Sequence, residues 1–426
     1  MYREPVADEV VSVNETRCCI VGAGPAGAVL ALLLARAGVS VTLLESHADF
    51  DRDFRGDTIH PSTLELLAQL GLADRLHAIP HGKLRQIRML TGGQAITLAD
   101  LSRLRTPFPY VMTLPQARLL ELLTDEAKKF PHFRLVMQAN VQRLVSKDGV
   151  VRGVRYRDPQ NGWHEVRAEL TVAADGRFSK IRHLAGIEPI SSAPPMDVVW
   201  FRLPKSANDP GESAELHVGG GRFAVLLDRG DEWQIGYIIL KGTFATVREA
   251  GIAALGQGLA QLVPWLADRV GHLQDWKQVA VLNVESSRVP QWHQPGLLLI
   301  GDAAHVMSPV GGVGMNVAVQ DAVETANVLT EPLRAGKVTE HDLARVQQGR
   351  EFAVKLVQRI QRAIQDRIAG PGLATDHEFH LPWVLRLLTS TPGLRNIPGR
   401  MLAFGPRRVR LKRVEPLPAT PESAPV

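Results

Sequence analysis

Arg17-Cys18-Cys19-Ile20-Val21-Gly22-Ala23-Gly24-Pro25-Ala26-Gly27-Ala28 is the stretch that decides the fold. A short apolar strand runs into glycines spaced G-x-G-x-x-G. Ala28 to Ala37 then reads as a helix of small residues and leucine, closed by Gly38, and Val39 to Leu44 reads as a second strand ending at Glu45. This is a β-α-β unit of about 30 residues. Gly22 permits a tight turn out of the strand, Gly24 lets the backbone approach a pyrophosphate, and Gly27 lets the helix pack closely on the sheet. An anion there meets the free N–H groups and the dipole of a helix N-terminus. Glu45 lies 18 residues past Gly27, where a carboxylate accepts hydrogen bonds from ribose hydroxyls and disfavours a 2′-phosphate. The pattern predicts a dinucleotide site at Gly22, Gly24, Pro25, Ala26, Gly27 and Glu45, and leaves NAD and FAD both open.

Outward from this unit, the bulk properties are those of a globular protein. The chain has 426 residues, 45% hydrophobic and 22% charged, enough for about two or three cores. Cys18 and Cys19 are its only cysteines. Neighbours on a strand point to opposite faces, so they read as small buried hydrophobes rather than a disulfide. The first 16 residues are polar and acidic, unlike a signal peptide, and the expected localisation is cytoplasmic. The net charge of +5 equals the contribution of Arg407, Arg408, Arg410, Lys412 and Arg413. The basic excess is therefore a tail property and does not argue for a nucleic-acid-binding body.

Further along, Pro61 to Leu70 and Leu114 to Lys129 read as helices, and Arg134 to Val145 and Val150 to Arg157 as strands. Val198–Leu203, Arg222–Leu227 and Trp233–Leu240 are β-type runs in a sheet-rich block, interrupted by one amphipathic helix near Val247 to Leu262. Two long helices follow Leu297 to Ile300. In the second, Leu343, Val346, Ala353, Leu356, Ile360 and Ile364 recur at helical spacing.

Two more motifs sit at strand ends. Leu298-Leu299-Ile300-Gly301-Asp302-Ala303-Ala304-His305 delivers an aspartate to a glycine turn, and Pro309-Val310-Gly311-Gly312-Val313-Gly314-Met315-Asn316 opens a helix. A nucleotide held at the first motif would reach this second helix N-terminus, whose dipole and free N–H groups suit the negative charge of a reduced isoalloxazine. Ala174-Asp175-Gly176-Arg177-Phe178-Ser179-Lys180-Ile181-Arg182 is a third strand-to-helix turn; alone, it reads equally well as an ordinary capped turn.

The order G-x-G-x-x-G, then D-G, then G-D resembles the group A FAD-dependent monooxygenases, the para-hydroxybenzoate hydroxylase-like flavoproteins. The similarity runs from about Arg17 to Leu333 and includes Arg55-Gly56-Asp57-Thr58-Ile59-His60-Pro61. The resemblance implies an α/β fold: a Rossmann-like FAD-binding domain (14–82, 105–188 and 286–340) with an inserted sheet-rich substrate domain (83–104 and 189–285), C-terminal helices (341–404) and a basic, then proline-rich tail (405–426). It implies that Gly22, Gly24, Gly27 and Glu45 hold the ADP half of FAD and that Arg55 lies near the pyrophosphate and flavin. It also implies that Gln116 and Asp302 contact ribitol, that Asp175 serves both FAD and transient NADH or NADPH, and that Gly312, Gly314, Met315 and Asn316 lie along the flavin ring. The implied reaction inserts one oxygen atom of O₂ into an aromatic or other nucleophilic small molecule by way of a C4a-hydroperoxyflavin, with chemistry that belongs to the cofactor. No metal and no protein nucleophile is expected, and no catalytic residue is assigned. His60, His217, Tyr237 and His305 read as structural before they read as substrate contacts.

Two rival readings follow from the same residues. A prenyl-type or other lipophilic-substrate reductase would share the FAD architecture. Trp233-Gln234-Ile235-Gly236-Tyr237 lacks the second Trp and the Pro of a W-x-W-x-I-P segment, which argues against halogenation. The other reading, of another class, is a basic membrane-surface or nucleic-acid binder, supported by the tail alone. Leu381 to Phe404 carries apolar pieces too short to span a bilayer; with the basic run, they raise the expectation of a weak membrane-surface contact.

Overall fold

The computed structural model describes residues 10–51, 57–366, 391 and 394–412. Among them, the central sheet places five parallel strands in the order Leu297–Leu299, Trp163–Ala173, Val10–Val21, Val41–Leu44 and Phe133–Val136. Cys18 pairs with Leu170 on one side and Val41 on the other, so the last four residues of the first strand, Cys18 to Val21, are central and buried on both faces. That burial explains their continuous apolar run. It also pushes both thiols up, Cys19 to about 12. The helix Pro25–Arg36 packs between the helices Gln116–Ala127 and Gly314–Ala335. The strands Asn140–Lys147 and Val150–Arg157 extend the sheet as an antiparallel meander.

A second sheet runs in the order Ala280–Leu282, Met196–Pro204, Glu232–Leu240, Arg222–Asp228, Ser213–Gly219, Gln86–Thr91 and Gln94–Asp100. Alternation gives it two apolar faces. Val199, Phe201, Ala224, Leu226, Trp233 and Ile235 pack under the helix Ile252–Leu262. Met196, Val198, Phe223 and Ile238 lie on the other face, with Val310 and Ile364 packed against them. The sequence pattern had one helix over 247–262; Gly251, at φ 92, divides it into Phe244–Ala250 and Ile252–Leu262.

The C-terminal helix Asn396–Phe404 docks on the body: His60 Nδ1 lies 2.8 Å from Leu402 O. The basic run that follows is laid on the same surface. Arg408 pairs with Glu65 and stacks over Phe404, Asn327 bonds Arg410 O and the Lys412 N–H, and Val409 and Leu411 pack on the main core. Among the described residues, no helix is long and apolar enough to cross a membrane. Residues 381–390, which carry the first of the apolar pieces, lie outside the described residues.

Burial drives the His60 imidazole from 6.5 down to about 4. Between those values the unfolded chain binds a proton that the folded chain excludes. This contribution to stability is therefore full above about 6.5 and is lost as pH falls toward 4, a change of roughly 3 kcal/mol. His60→Gln should flatten that part of the pH dependence, read as urea midpoints at about pH 7.5 and about pH 4.5. An unchanged difference between the two midpoints would remove His60 as its source.

Candidate functional site

The motif residues converge because they end adjacent parallel strands. Gly22 follows Val21, Glu45 follows Leu44, Asp175 follows Ala173-Ala174, and Asp302 follows the strand Leu297–Leu299 by three residues. All lie at the carboxyl edge of the sheet, the edge at which open α/β sheets bind ligands.

The three glycines of the first turn are constrained differently. Gly22 has φ 99, and a Cβ there would fall 2.4 Å from Ala174 O; at Gly27 it would fall 1.9 Å from Gly22 O. At Gly24 a Cβ would meet nothing within 4 Å. Gly22 and Gly27 are thus glycines for close packing, whereas Gly24 borders an open cradle at the start of a helix. Pro25 is the first residue of that helix and Ala26 is buried in it. Glu45 closes the cradle's edge: Oε2 accepts the Ala23 N–H at 3.0 Å, and Oε1 lies 2.6 Å from His47 Nδ1. Burial opposes its charge, but the bonds from His47 and Ala23 hold its carboxyl below the usual range.

The third motif abuts the first, since Gly22 lies against Ala174 and Asp175. Asp175 is engaged by its own turn: Oδ1 accepts Ser179 Oγ–H at 2.5 Å and Oδ2 the Ile181 N–H at 3.0 Å. Burial pushes its carboxyl up. Arg182 ties this turn to the second motif, donating to Arg177 O and to Ala303 O, each at 3.0 Å. Asp302 is half-buried in the turn Gly301–Ala303.

At the far end, the helix Gly314–Ala335 presents the N–H groups of Gly314, Met315 and Asn316, which its first turn leaves without intrahelical acceptors. Gly312 O accepts Thr58 Oγ1–H. The Asn316 side chain is turned toward residues 58–63: Oδ1 accepts from His60 N and Thr63 Oγ1, and Nδ2 donates to Thr58 O. What it offers the glycine turn is its backbone. Gln116 reaches this place from another element, with Nε2 at 3.8 Å from Met315 Sδ. Arg55 lies outside the described residues.

Two groups were not singled out in the sequence. Asp57 accepts the Gln116 N–H and pairs with the buried Arg229, which also donates to Gln234 Oε1 at 2.7 Å. Burial raises the Asp57 carboxyl, and Arg229 offsets only part of that. Asp321, wholly buried, accepts the Gly301 N–H at 3.1 Å, lies 2.7 Å from His305 Nε2 and takes Arg350 Nε–H at 2.8 Å. Burial works against its charge, yet His305 and Arg350 hold it below its ordinary range. The available signal was a base, Arg350, within the helical stretch whose spacing reads as an apolar stripe. His305 is thus structural. His217, 2.9 Å from Glu215, and Tyr237 lie on the second sheet's face away from Val310.

The FAD binding domain family matches residues 15–360. The chain belongs to that family. A 6-methylpretetramide 4-monooxygenase of Streptomyces rimosus is 33% identical over 93% of this chain and 94% of its own length. The solved anhydrotetracycline hydroxylase OxyS of Streptomyces rimosus is 25% identical, with a TM-score of 0.72 over 91% of this chain and 76% of that one. A probable FAD-dependent monooxygenase of Pseudomonas aeruginosa shares the fold at 19% identity, with a TM-score of 0.73 over 85% of this chain and 99% of that one. The chain is an FAD-dependent monooxygenase of the group A type. These findings give no support to the reductase reading or to a basic membrane-surface or nucleic-acid binder.

Gly24→Val should leave the fold intact and abolish FAD retention. Gly27→Ala should instead lower thermal stability by at least about 1–3 kcal/mol. Flavin content and melting temperature measured on both variants check the contrast; a flavin-loaded Gly24→Val protein would overturn it. Asp321→Ala leaves a buried arginine uncompensated and should lose about 3–5 kcal/mol, read as the urea midpoint. An unchanged midpoint would show that the network carries no load.

Proposed function

We propose that this monooxygenase hydroxylates a flat, fused-ring aromatic molecule, using NADH or NADPH as reductant and O₂ as oxidant. The carrying observation is the apolar face of the second sheet, Met196, Val198, Phe223 and Ile238, packed against Val310 beside the glycine turn. Those four side chains are buried, so a substrate on this face would meet the half-buried members of the same cluster, Trp200, Leu216 and Val225, a lining that favours a large apolar ring system. Relatives named for 6-methylpretetramide and anhydrotetracycline support the same substrate class.

In this reading, the central sheet with its helices (14–82, 105–188, 286–340) is the FAD-binding domain and the second sheet (83–104, 189–285) the substrate domain. The cradle at Gly24, with Gly22, Pro25, Ala26 and Gly27 shaping its turn, fits a pyrophosphate, and Glu45 fits an adenosine ribose. Gly312, Gly314, Met315 and Asn316 would lie along the ring, Gln116 and Asp302 would contact ribitol, and Asp175 would serve both FAD and NADH or NADPH. Arg55 would approach the pyrophosphate. Bound FAD supplies the redox chemistry and the activation of O₂. The N–H groups of Gly314, Met315 and Asn316 would stabilise negative charge on the reduced ring. The Asp57–Arg229 pair would fix the substrate sheet relative to Gln116.

The test is NADH and NADPH oxidation by the FAD-loaded protein, with oxygen uptake and product mass followed in parallel. Anhydrotetracycline should stimulate oxidation and emerge heavier by one oxygen atom. Stimulation without an oxygenated product, or none by any fused-ring phenol, would overturn the reading.

A further inference from the structure

The sheet face that packs against Val310 has a structured centre. Trp200 stands opposite Gly236 in register, and Gly236 stands opposite Val225 on its other side. Gly236 is not among the residues of positive φ, so its backbone alone would accept any residue. What it lacks is room. A Cβ at Gly236 would fall 2.9 Å from both Trp200 Cη2 and Cζ3, and 3.1 Å from Val198 Cγ1. The six-membered ring of the indole therefore lies over bare backbone at the middle of the sheet.

Trp200 is only half-buried, although buried Val198, Phe223 and Ile238 share its face. Trp200 and Val310 both pack against this cluster, so the indole lies on the sheet face that meets the residues leading into the glycine turn, and part of its surface stays accessible. An aromatic ring with one side seated on the protein and the other accessible is a rigid stacking partner, because its rotamer is already fixed.

We propose that Trp200 is a specificity-determining residue: a platform on which the planar rings of the substrate stack, with Gly236 setting its depth. This rests on the fused-ring reading above. A platform rewards extended rings and does little for a single ring, since stacking scales with overlapped area.

The experiment compares the FAD-loaded wild type with Trp200→Ala, Trp200→Phe and Gly236→Ala, using anhydrotetracycline and phenol as probes. KM and kcat for probe-stimulated NAD(P)H oxidation, flavin content and melting temperature are measured on each. Trp200→Ala should raise KM for anhydrotetracycline about tenfold, with flavin content unchanged and phenol kinetics moved less than about threefold. Trp200→Phe should recover much of the loss. Gly236→Ala, which keeps the indole but displaces it, should shift KM in the same direction. If Trp200→Ala fails to fold, the Trp200→Phe and Gly236→Ala shifts decide. Unchanged KM in the variants, or equal losses on both probes accompanied by a lower melting temperature, would overturn the platform and leave Trp200 as packing. A wild type that responds to neither probe removes the fused-ring reading, and the platform with it.

Discussion

A carboxylate with no access to water, Asp321, holds three elements at once: the Gly301 N–H, His305 and Arg350. Gly301 opens the turn that carries Asp302, and a Cβ there would stand 3.2 Å from both Ala26 and Ala318. The turn is thus wedged between the first glycine helix and the long helix Gly314–Ala335. A small displacement of the carboxylate would move the second motif relative to the first. A buried ion pair contributes little net stability compared with a well-packed apolar replacement. Its value here is positional, since charge-assisted bonds fix directions that apolar contacts leave loose.

The same logic extends along the helix Glu340–Ile364 and into the turn beyond it. Its buried face carries glutamines. Gln358 donates to Ser287 O and Val306 O, Gln361 to Ser308 O and Val310 O, and Gln365 to Ser308 Oγ. The segment 306–310 approaches the glycine turn largely outside regular ladders, so its carbonyls need donors from elsewhere. The glutamine amides supply them from behind, while the second sheet meets Val310 with apolar side chains in front.

This arrangement marks where the sequence was legible and where it was not. The glycine unit could be read because each glycine answers a distinct steric demand, and strand ends at Glu45, Asp175 and Asp302 carried visible turn chemistry. The helical stripe Leu343, Val346, Ala353, Leu356, Ile360 and Ile364 was only half right. The first three are buried and the half-buried Ile364 packs on the second sheet's cluster, but Leu356 and Ile360 are only half-buried, while Arg350, Gln358 and Gln361 lie inside. Periodicity finds a face that meets apolar groups; it has no signal for one that meets orphan carbonyls. Likewise the run 134–145 reads as one strand, yet Gln138, at φ 56, turns it, sending Phe133–Val136 into the parallel sheet and Asn140–Lys147 into the meander. The Asp57–Arg229 pair joins residues 172 positions apart, beyond the reach of local pattern.

That long-range pair shows how the two sheets are kept in step. Arg229 sits in the hairpin turn between Arg222–Asp228 and Glu232–Leu240, so it moves with the substrate sheet. Asp57 belongs to the other body: its backbone carbonyl accepts the Leu114 N–H at 2.8 Å, and its carboxylate accepts the Gln116 N–H at 3.2 Å. Gln116 in turn reaches Met315 at the glycine-turn helix. A side chain on the substrate sheet is therefore three bonded steps from the helix N-terminus at the proposed flavin ring. Nearby, Thr113 Oγ1 donates to Asp228 O at 2.8 Å, and a Cβ at Gly82 would collide with that same carbonyl at 2.7 Å. Two polar contacts and one steric stop on a single hairpin hold its position against both sliding and rotation. The apolar face need supply only surface, and it is free to vary in shape without disturbing the frame that aims it.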